Sequence, residues 1–264
     1  MAETDVHGAR TDVAFWDAQW SDRSQRSGLA AKLRSADFGQ NGIFLKTMKR
    51  HAADIFDNAS VIELGGASSR FAIDLAIYAN CKMTIVDNSE VGIEMSKRMF
   101  AEENADIRTV CADIFDLSLM DGAFDVVTHW GLMEHFNDAK SIFDISAQLL
   151  KPGGHLVYSM PNMGAIGAKL WKRHAPANFE AHIFHSDDAL QTAATLSGFE
   201  KQRPFFFGVP LVRMAPAERN SVSALAANTA HAAMLAAGLV VPELYSSGSS
   251  RLASNRGFVL RKIT

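Results

Sequence analysis

The stretch VIELGGASSR, residues 61–70, decides how the rest of the chain is read. It begins as a short apolar strand, passes through Glu63 and the pair Gly65-Gly66, and should then turn into a helix. Two adjacent glycines let the backbone turn sharply and come close to a ligand. The helix start that follows offers unpaired N–H groups to an anionic group. A nucleotide loop of the G-x-G-x-x-G kind spaces its first two glycines at alternate positions. Here the alternate positions after Glu63 are Gly65, Ala67 and Ser69. The side chains of Ala67 and Ser69 crowd a pyrophosphate. A single carboxylate is less demanding, and the Ser69 hydroxyl can donate to one. Glu63 beside the loop repels phosphate and attracts a cation.

Working outward, short β-branched runs alternate with helical stretches. SVIEL (60–64), KMTIVD (82–87), DIRTVCAD (106–113), FDVVTHW (124–130) and HLVYSMP (155–161) read as strands. FFFGV (205–209) and RGFVLRKI (256–263) read as a sixth and a seventh. Helices are expected over 67–79, 90–103 and 138–150, the last stopped by Lys151-Pro152-Gly153-Gly154. Another starts at Ser186, a good N-cap, and stops at Gly198. This alternation implies an α/β fold, a doubly wound and mostly parallel seven-stranded sheet. Residues 1–57 form a preceding helical arm, long enough to lie across the ligand face. Residues 58–264 form the ligand-binding domain, with an insertion at about 211–255 between strands six and seven. Within the insertion, the alanine-rich 223–241 reads as a buried helix.

Open parallel sheets bind ligands at the carboxyl ends of their strands. Strand two ends on Asp87, at the distance after the glycine loop where an acid holds ribose hydroxyls. Strand three runs into Asp113, placed to accept from an adenine amino group, with Ile114 packing near the ring. Strand four ends at His129 and Trp130, under the middle of the site. These features describe a ligand with adenine, ribose, a carboxylate and a positive charge. S-adenosyl-L-methionine fits that description, and NAD and ATP fit it worse.

With these motifs in hand, the sequence resembles the class I S-adenosylmethionine-dependent methyltransferases of small-molecule type. VIELGGASSR is similar to their first motif, IVDNS supplies the ribose acid with Asn88 beside it, and CADIFD supplies Asp113. FDVVTHWGLMEHF and LLKPGGHLVYSMPN resemble the motifs around strands four and five. The resemblance covers residues 58–210, and Ala67 and Ser69 depart from it where glycine is usual. It implies methyl transfer to an O, N or C nucleophile of a small metabolite or natural product by in-line displacement, leaving S-adenosyl-L-homocysteine. The cofactor residues are then Glu63, Gly65, Gly66, Ala67, Ser69, Asp87, Asn88, Asp113, Ile114, His129 and Trp130.

Most of such catalysis is positioning, and a base helps when the acceptor carries a proton. Among nine histidines, His135 is the first candidate, because it follows strand four. His182 and His185, in the loop before the helix leading to strand six, and Asn162 after strand five are candidates for the acceptor pocket, as is Trp20 in the arm. The spacing of His182 and His185 alone does not make a metal site, and none is expected. Three other readings carry less. Tyr78-x-x-x-Lys82 superficially matches a short-chain reductase pair but closes the first helix, away from the strand ends. Binding of S-adenosylmethionine without catalysis is separable only by an activity screen. A cyclopropane-forming acyl enzyme shares the E-H-F sequence, but the cysteine pattern does not support it.

Composition sets outer bounds. The chain has 264 residues, 48% hydrophobic and 21% charged, with a net charge of −3. Residues 201–264 carry eight Lys/Arg against Glu218 and Glu243, which could draw in an anionic substrate. No basic-aromatic platform for nucleic acid is visible and no apolar run reaches the roughly 20 residues that span a bilayer. A small-molecule partner is expected, with no nucleic acid, no membrane, and a homodimer as an option. Two isolated cysteines, Cys81 and Cys111, fit a reduced cytoplasmic protein.

Overall fold

The computed structural model describes residue 9 and residues 11–24, 37–117, 120–211 and 221–263. Helices α1 (Val13–Ser24), α2 (Asp37–His51) and α3 (Ala53–Phe56) precede strand β1 (Ser60–Leu64). There follow α4 (Arg70–Tyr78), β2 (Lys82–Asp87), α5 (Glu90–Glu102), β3 (Arg108–Cys111) and β4 (Phe124–Trp130). The second half contains α6 (Ala139–Leu149), β5 (Leu150–Pro161), α7 (Ile166–His174), α8 (Pro176–Glu180), α9 (Asp187–Leu196), β6 (Arg203–Phe207), α10 (Val222–Val240) and β7 (Asn255–Arg261).

The strands make one seven-stranded sheet in the order β3-β2-β1-β4-β5-β7-β6. β3, β2, β1, β4 and β5 pair in parallel, and β7 runs antiparallel to both β5 and β6. The sheet is therefore the doubly wound, mostly parallel one expected. Its winding reverses between β1 and β4, and such a reversal opens a crevice at the carboxyl ends of the strands. Ile62, Leu64, Val86 and Val127 pack on one face with Ile142, Phe143 and Leu190 of α6 and α9. Val61, Ile85 and Val126 pack on the other with Phe44, Ile73 and Ile93 of α2, α4 and α5. Burial on both faces explains why these strands read as continuous apolar runs. Each such side chain contributes roughly 1.5–3 kcal/mol.

Capping explains where the helices begin. Ser69, Ser89, Ser186 and Ser221 each accept a hydrogen bond from a backbone N–H three residues on, in α4, α5, α9 and α10. Each cap is worth about 1 kcal/mol. Gly198, at φ +84°, ends the turn after α9 as expected.

Two expectations need correction. The Lys-Pro-Gly-Gly cluster ends no helix by itself: α6 stops at Leu149 and β5 already begins at Leu150. Leu150 pairs with Phe124 and His155 with Val126, so residues 151–154 bulge out of a continuous ladder, with Gly153 at φ +74°. Helix α10 is also not buried all round. Ala224, Ala227 and His231 face inward, and Gly238 lets the backbone close on Ile43 of α2. The opposite side leaves Val222 87% and Val240 82% exposed. Among the described residues, no helix is long and apolar enough to cross a membrane.

Ala9 and helix α1 lie at the carboxyl ends of the strands, while α2 packs on a sheet face. Ala9 bridges to Phe136, the Trp16 ring lies 5.1 Å from that of His135, and Asp17 accepts from the Ser89 hydroxyl at the start of α5.

Candidate active site

Residues of β1 and β2 with the same parity project from one sheet face, which brings Glu63 beside Ile85 and above the loop Gly65–Ser69. Gly65 sits at φ +65°, a conformation that side chains rarely adopt, and a β-carbon there would meet Leu132 at 2.9 Å. At Gly66 it would meet Ile85, also at 2.9 Å. Both glycines are therefore required by the turn itself. Ser69 Oγ donates to Glu63 Oε2 at 3.0 Å and accepts from the N–H of Ala72 at 3.1 Å. The hydroxyl thus caps α4 and holds the acid. Ala67 is buried and its N–H donates to Asp87 Oδ2 at 3.0 Å, while Asp87 Oδ1 accepts from the Ser89 N–H at 2.9 Å. The acid of β2 is thereby tied to the β1 loop. Each carboxylate oxygen keeps a further lone pair for a hydroxyl.

Burial pushes the Glu63 carboxyl up to about 8, against the hydrogen bond from Ser69, with Asp87 raising it further. The indole N–H of Trp130 points at the same carboxyl without reaching hydrogen-bonding geometry. Burial also raises Asp87, opposed by the N–H groups of Ser89 and Ala67. Among the described residues, no ion pair involves Glu63, Asp87 or Asp113. Buried carboxyls without a cationic partner, beside a glycine turn and a capped helix start, fit a ligand that brings both a positive charge and a carboxylate. S-adenosylmethionine is such a ligand. Asn88 and Asp113 are exposed at the ends of β2 and β3, and Asp113 Oδ1 accepts from the Phe115 N–H. Ile114 is buried in the core cluster of α6 and β4.

The two residues ending β4 separate. Trp130 lies on the Glu63 face, edge-on to Phe44 and Phe71. His129 points to the opposite face and stacks on Tyr158 with its ring centroid at 4.9 Å. It is fully buried, neither ring nitrogen has a partner, and burial pushes it down to about 3. The structure therefore places His129 in the core and not on the ligand crevice.

Past β4 the chain makes one 3-10 turn, Met133–His135. Glu134 and His135 are both buried there, and each leaves an atom without a partner, Oε2 and Nδ1. Burial pushes Glu134 up to about 8, and burial together with His182 pushes His135 down to about 4. His182 arrives from the segment between α8 and α9, with its ring 4.9 Å from that of His135 and 4.9 Å from that of Trp171. Its Nδ1 donates to the carbonyl of Asn178 at 2.7 Å, since a carbonyl can only accept. Trp16 covers His135 from the arm, stacked on Trp20, and Trp20 reaches Gly92 and Ala67.

The other expected acceptor residues lie elsewhere. His185 donates through Nε2 to the Phe136 carbonyl, and its own carbonyl accepts from Arg256. Asn162 donates both side-chain N–H groups to the carbonyls of Ser250 and Ala253, so it fastens the insertion to β5. With Phe184, Asp187 and Arg256 it lines a separate open cavity of about 320 Å³. Sequence reasoning did not single out Asp17, Trp171 or Arg256. Asp17 lies between Trp16 and Trp20 in the same helix, and that proximity was the one signal available for it.

A family model described as a methyltransferase domain matches residues 38–203. A ubiquinone biosynthesis O-methyltransferase of Chromobacterium violaceum is 28% identical over 126 residues, covering 47% of this chain and 53% of the relative. The chain thus spans about half the length of that curated relative. Among solved structures, magnesium protoporphyrin IX methyltransferase of Synechocystis PCC 6803 with bound S-adenosylhomocysteine superposes with a TM-score of 0.60 at 13% identity, covering 94% of this chain and 96% of that one. Phosphoethanolamine N-methyltransferase 2 of Haemonchus contortus with S-adenosyl-L-methionine gives 0.55 at 18% identity, covering 85% of this chain and 52% of that one. The glycine turn, the β1 and β2 acids and the matching family model lead to one conclusion: this chain belongs to the methyltransferase domain family, with a Rossmann-like fold.

Proposed function

We propose that the enzyme methylates a hydroxyl oxygen on a small, planar acceptor bound beside His135. One observation carries this reading: His135 Nδ1 is buried without a partner among the rings of Trp16 and His182. Aromatic walls favour a flat acceptor, and an unpartnered imidazole nitrogen favours one that carries a donor O–H. The name of the Chromobacterium violaceum relative, an O-methyltransferase, supports the same acceptor atom.

In this reading the cofactor supplies an already activated methyl cation equivalent. Glu63 faces its positive end, Asp87 and Asn88 the ribose, and Asp113 the adenine edge. Gly65, Gly66, Ala67 and Ser69 shape the loop. His135 positions the acceptor oxygen, and His182 and Trp16 exclude water. Helix α1 of the arm lies over the site, with Trp16 against His135. The compartment we infer is the cytoplasm, supported by Cys81 and Cys111 standing as free thiols.

The test is a panel of phenols, catechols, primary amines and carboxylic acids incubated with S-adenosylmethionine, reading S-adenosylhomocysteine release. Turnover with a hydroxyl acceptor is expected, and a drop of about 10²–10⁴-fold in His135→Ala. Turnover confined to amines, or an unaffected His135→Ala, contradicts the assignment.

A further inference from the structure

The 3-10 turn after β4 and the segment before α9 bring together Glu134, His135 and His182. One ligand atom from each lies within 4.8 Å of the others. From these three side chains we infer that the enzyme binds one divalent first-row transition cation, of the zinc class, beside its acceptor pocket.

Four observations support the site. The donor set is two imidazoles and one carboxylate, the set that holds catalytic zinc with positions left open. Two of its atoms, Glu134 Oε2 and His135 Nδ1, are buried with no hydrogen-bond partner. Burying such atoms unpaired is costly, so a partner is due there. His182 donates from Nδ1 to the Asn178 carbonyl, which leaves Nε2 as a lone pair. A ligating histidine is commonly fixed in this way, by its other ring nitrogen donating to a carbonyl. Finally, the backbone joins the two segments directly: the Ile183 N–H donates to the Glu134 carbonyl at 2.7 Å.

The charge of the surroundings is compatible. Arg256 is the cation acting on Glu134, but its guanidinium is committed to Asp187, the His185 carbonyl and the Met160 sulfur. Bond lengths of about 2.0–2.1 Å at tetrahedral angles place ligand atoms about 3.3 Å apart. That separation lies inside the 4.8 Å within which the three ligand atoms sit.

The role of the ion rests on the proposed methyl transfer, whereas its binding does not. Its open position takes the acceptor oxygen in place of a direct contact with the His135 ring. The acceptor O–H breaks and its proton passes to water. The oxygen lone pair then forms the new C–O bond as the donor C–S bond breaks, its electron pair staying on sulfur. Proton loss from a metal-held hydroxyl near neutral pH is the chemistry such a cation supplies.

The experiment uses chelator-stripped full-length enzyme titrated with Co²⁺ and Zn²⁺. Co²⁺ should give visible d–d bands at one ion per chain, displaced by Zn²⁺. His182→Ala, which alters a half-buried side chain, should weaken binding at least 10–100-fold, and His185→Ala should leave it unchanged. No stoichiometric Co²⁺ binding, or binding untouched by His182→Ala, overturns the site. Stripping should lower methyl transfer while leaving calorimetric binding of S-adenosylmethionine intact. Turnover unaffected by stripping overturns the role given to the ion. If S-adenosylmethionine itself fails to bind, the methyltransferase reading fails, and the metal titration is judged separately.

Discussion

Ser69 stands where the methyltransferase motif it resembles usually has glycine, and its hydroxyl lies 3.0 Å from Glu63 Oε2. Because the same oxygen also caps α4, the substitution stabilises the loop without occupying the ligand's place. Ser69→Ala should lower stability by about 1–3 kcal/mol, from the lost cap and the donor withdrawn from a buried acid. Urea denaturation of the ligand-free protein measures it, and an unchanged midpoint would show that neither bond matters.

Glu63, raised to about 8 by burial, is protonated near pH 7 in the free protein. A cationic ligand favours the ionised form, so cofactor binding should release a proton there. Calorimetry at pH 7 in phosphate and in Tris should then give binding enthalpies that differ in proportion to the buffers' ionisation enthalpies. Glu63→Gln should erase that difference and weaken binding. Equal enthalpies in the two buffers with the native enzyme would contradict it.

Stability should depend on pH in two opposed ways. Glu63 and Glu134, raised from 4.5 to about 8, contribute stability that is full below pH 4.5 and lost as pH rises to 8. His129 and His135, lowered from 6.5 to about 3 and about 4, contribute stability that is full above pH 6.5 and lost as pH falls. Each group contributes a slope of about 1.4 kcal/mol per pH unit inside its window. The two effects oppose each other between pH 4.5 and 6.5 and only the carboxyl loss remains above pH 6.5, so the ligand-free protein should lose stability as pH rises from neutrality to 8. A maximum above pH 8 in denaturant midpoints would contradict this.

Gly92, in the first turn of α5, is where the arm meets the loop. A β-carbon there would lie 2.6 Å from Ala67 Cβ and 2.7 Å from the Trp20 ring. Gly92→Ala should displace Trp20, cost about 1–3 kcal/mol and weaken cofactor binding. Red-shifted tryptophan emission reports the displacement, and an unshifted spectrum with native affinity would show that the arm is not seated there.

The sheet was legible because its strands are apolar on both faces and end on chemically distinct residues. SVIEL, KMTIVD and FDVVTHW carry their boundaries in the sequence, since glycine or an acid follows or ends each run. Lys151–Gly154 misled because a bulge and a helix stop use the same residues. Helix α10 misled because alanine fits a buried helix and a half-exposed one alike. In the site, Glu63 and Asp87 were legible as strand-end acids. His129 was not, because adjacent residues on a strand face opposite sides and nothing local says which side is the crevice. The meeting of Glu134, His135 and His182 depends on a contact between segments 47 residues apart in sequence, which residue spacing does not encode.

The central claim is that the β1 loop and the β2 acid form an S-adenosylmethionine site. Asp87 also holds the Ala67 and Ser89 N–H groups, so Asp87→Asn, close in shape, is the variant to compare. Calorimetric titration of the native enzyme with S-adenosylmethionine should show one site per chain, weakened at least tenfold in Asp87→Asn. No binding to the native enzyme, or equal affinity in the variant, would contradict the account.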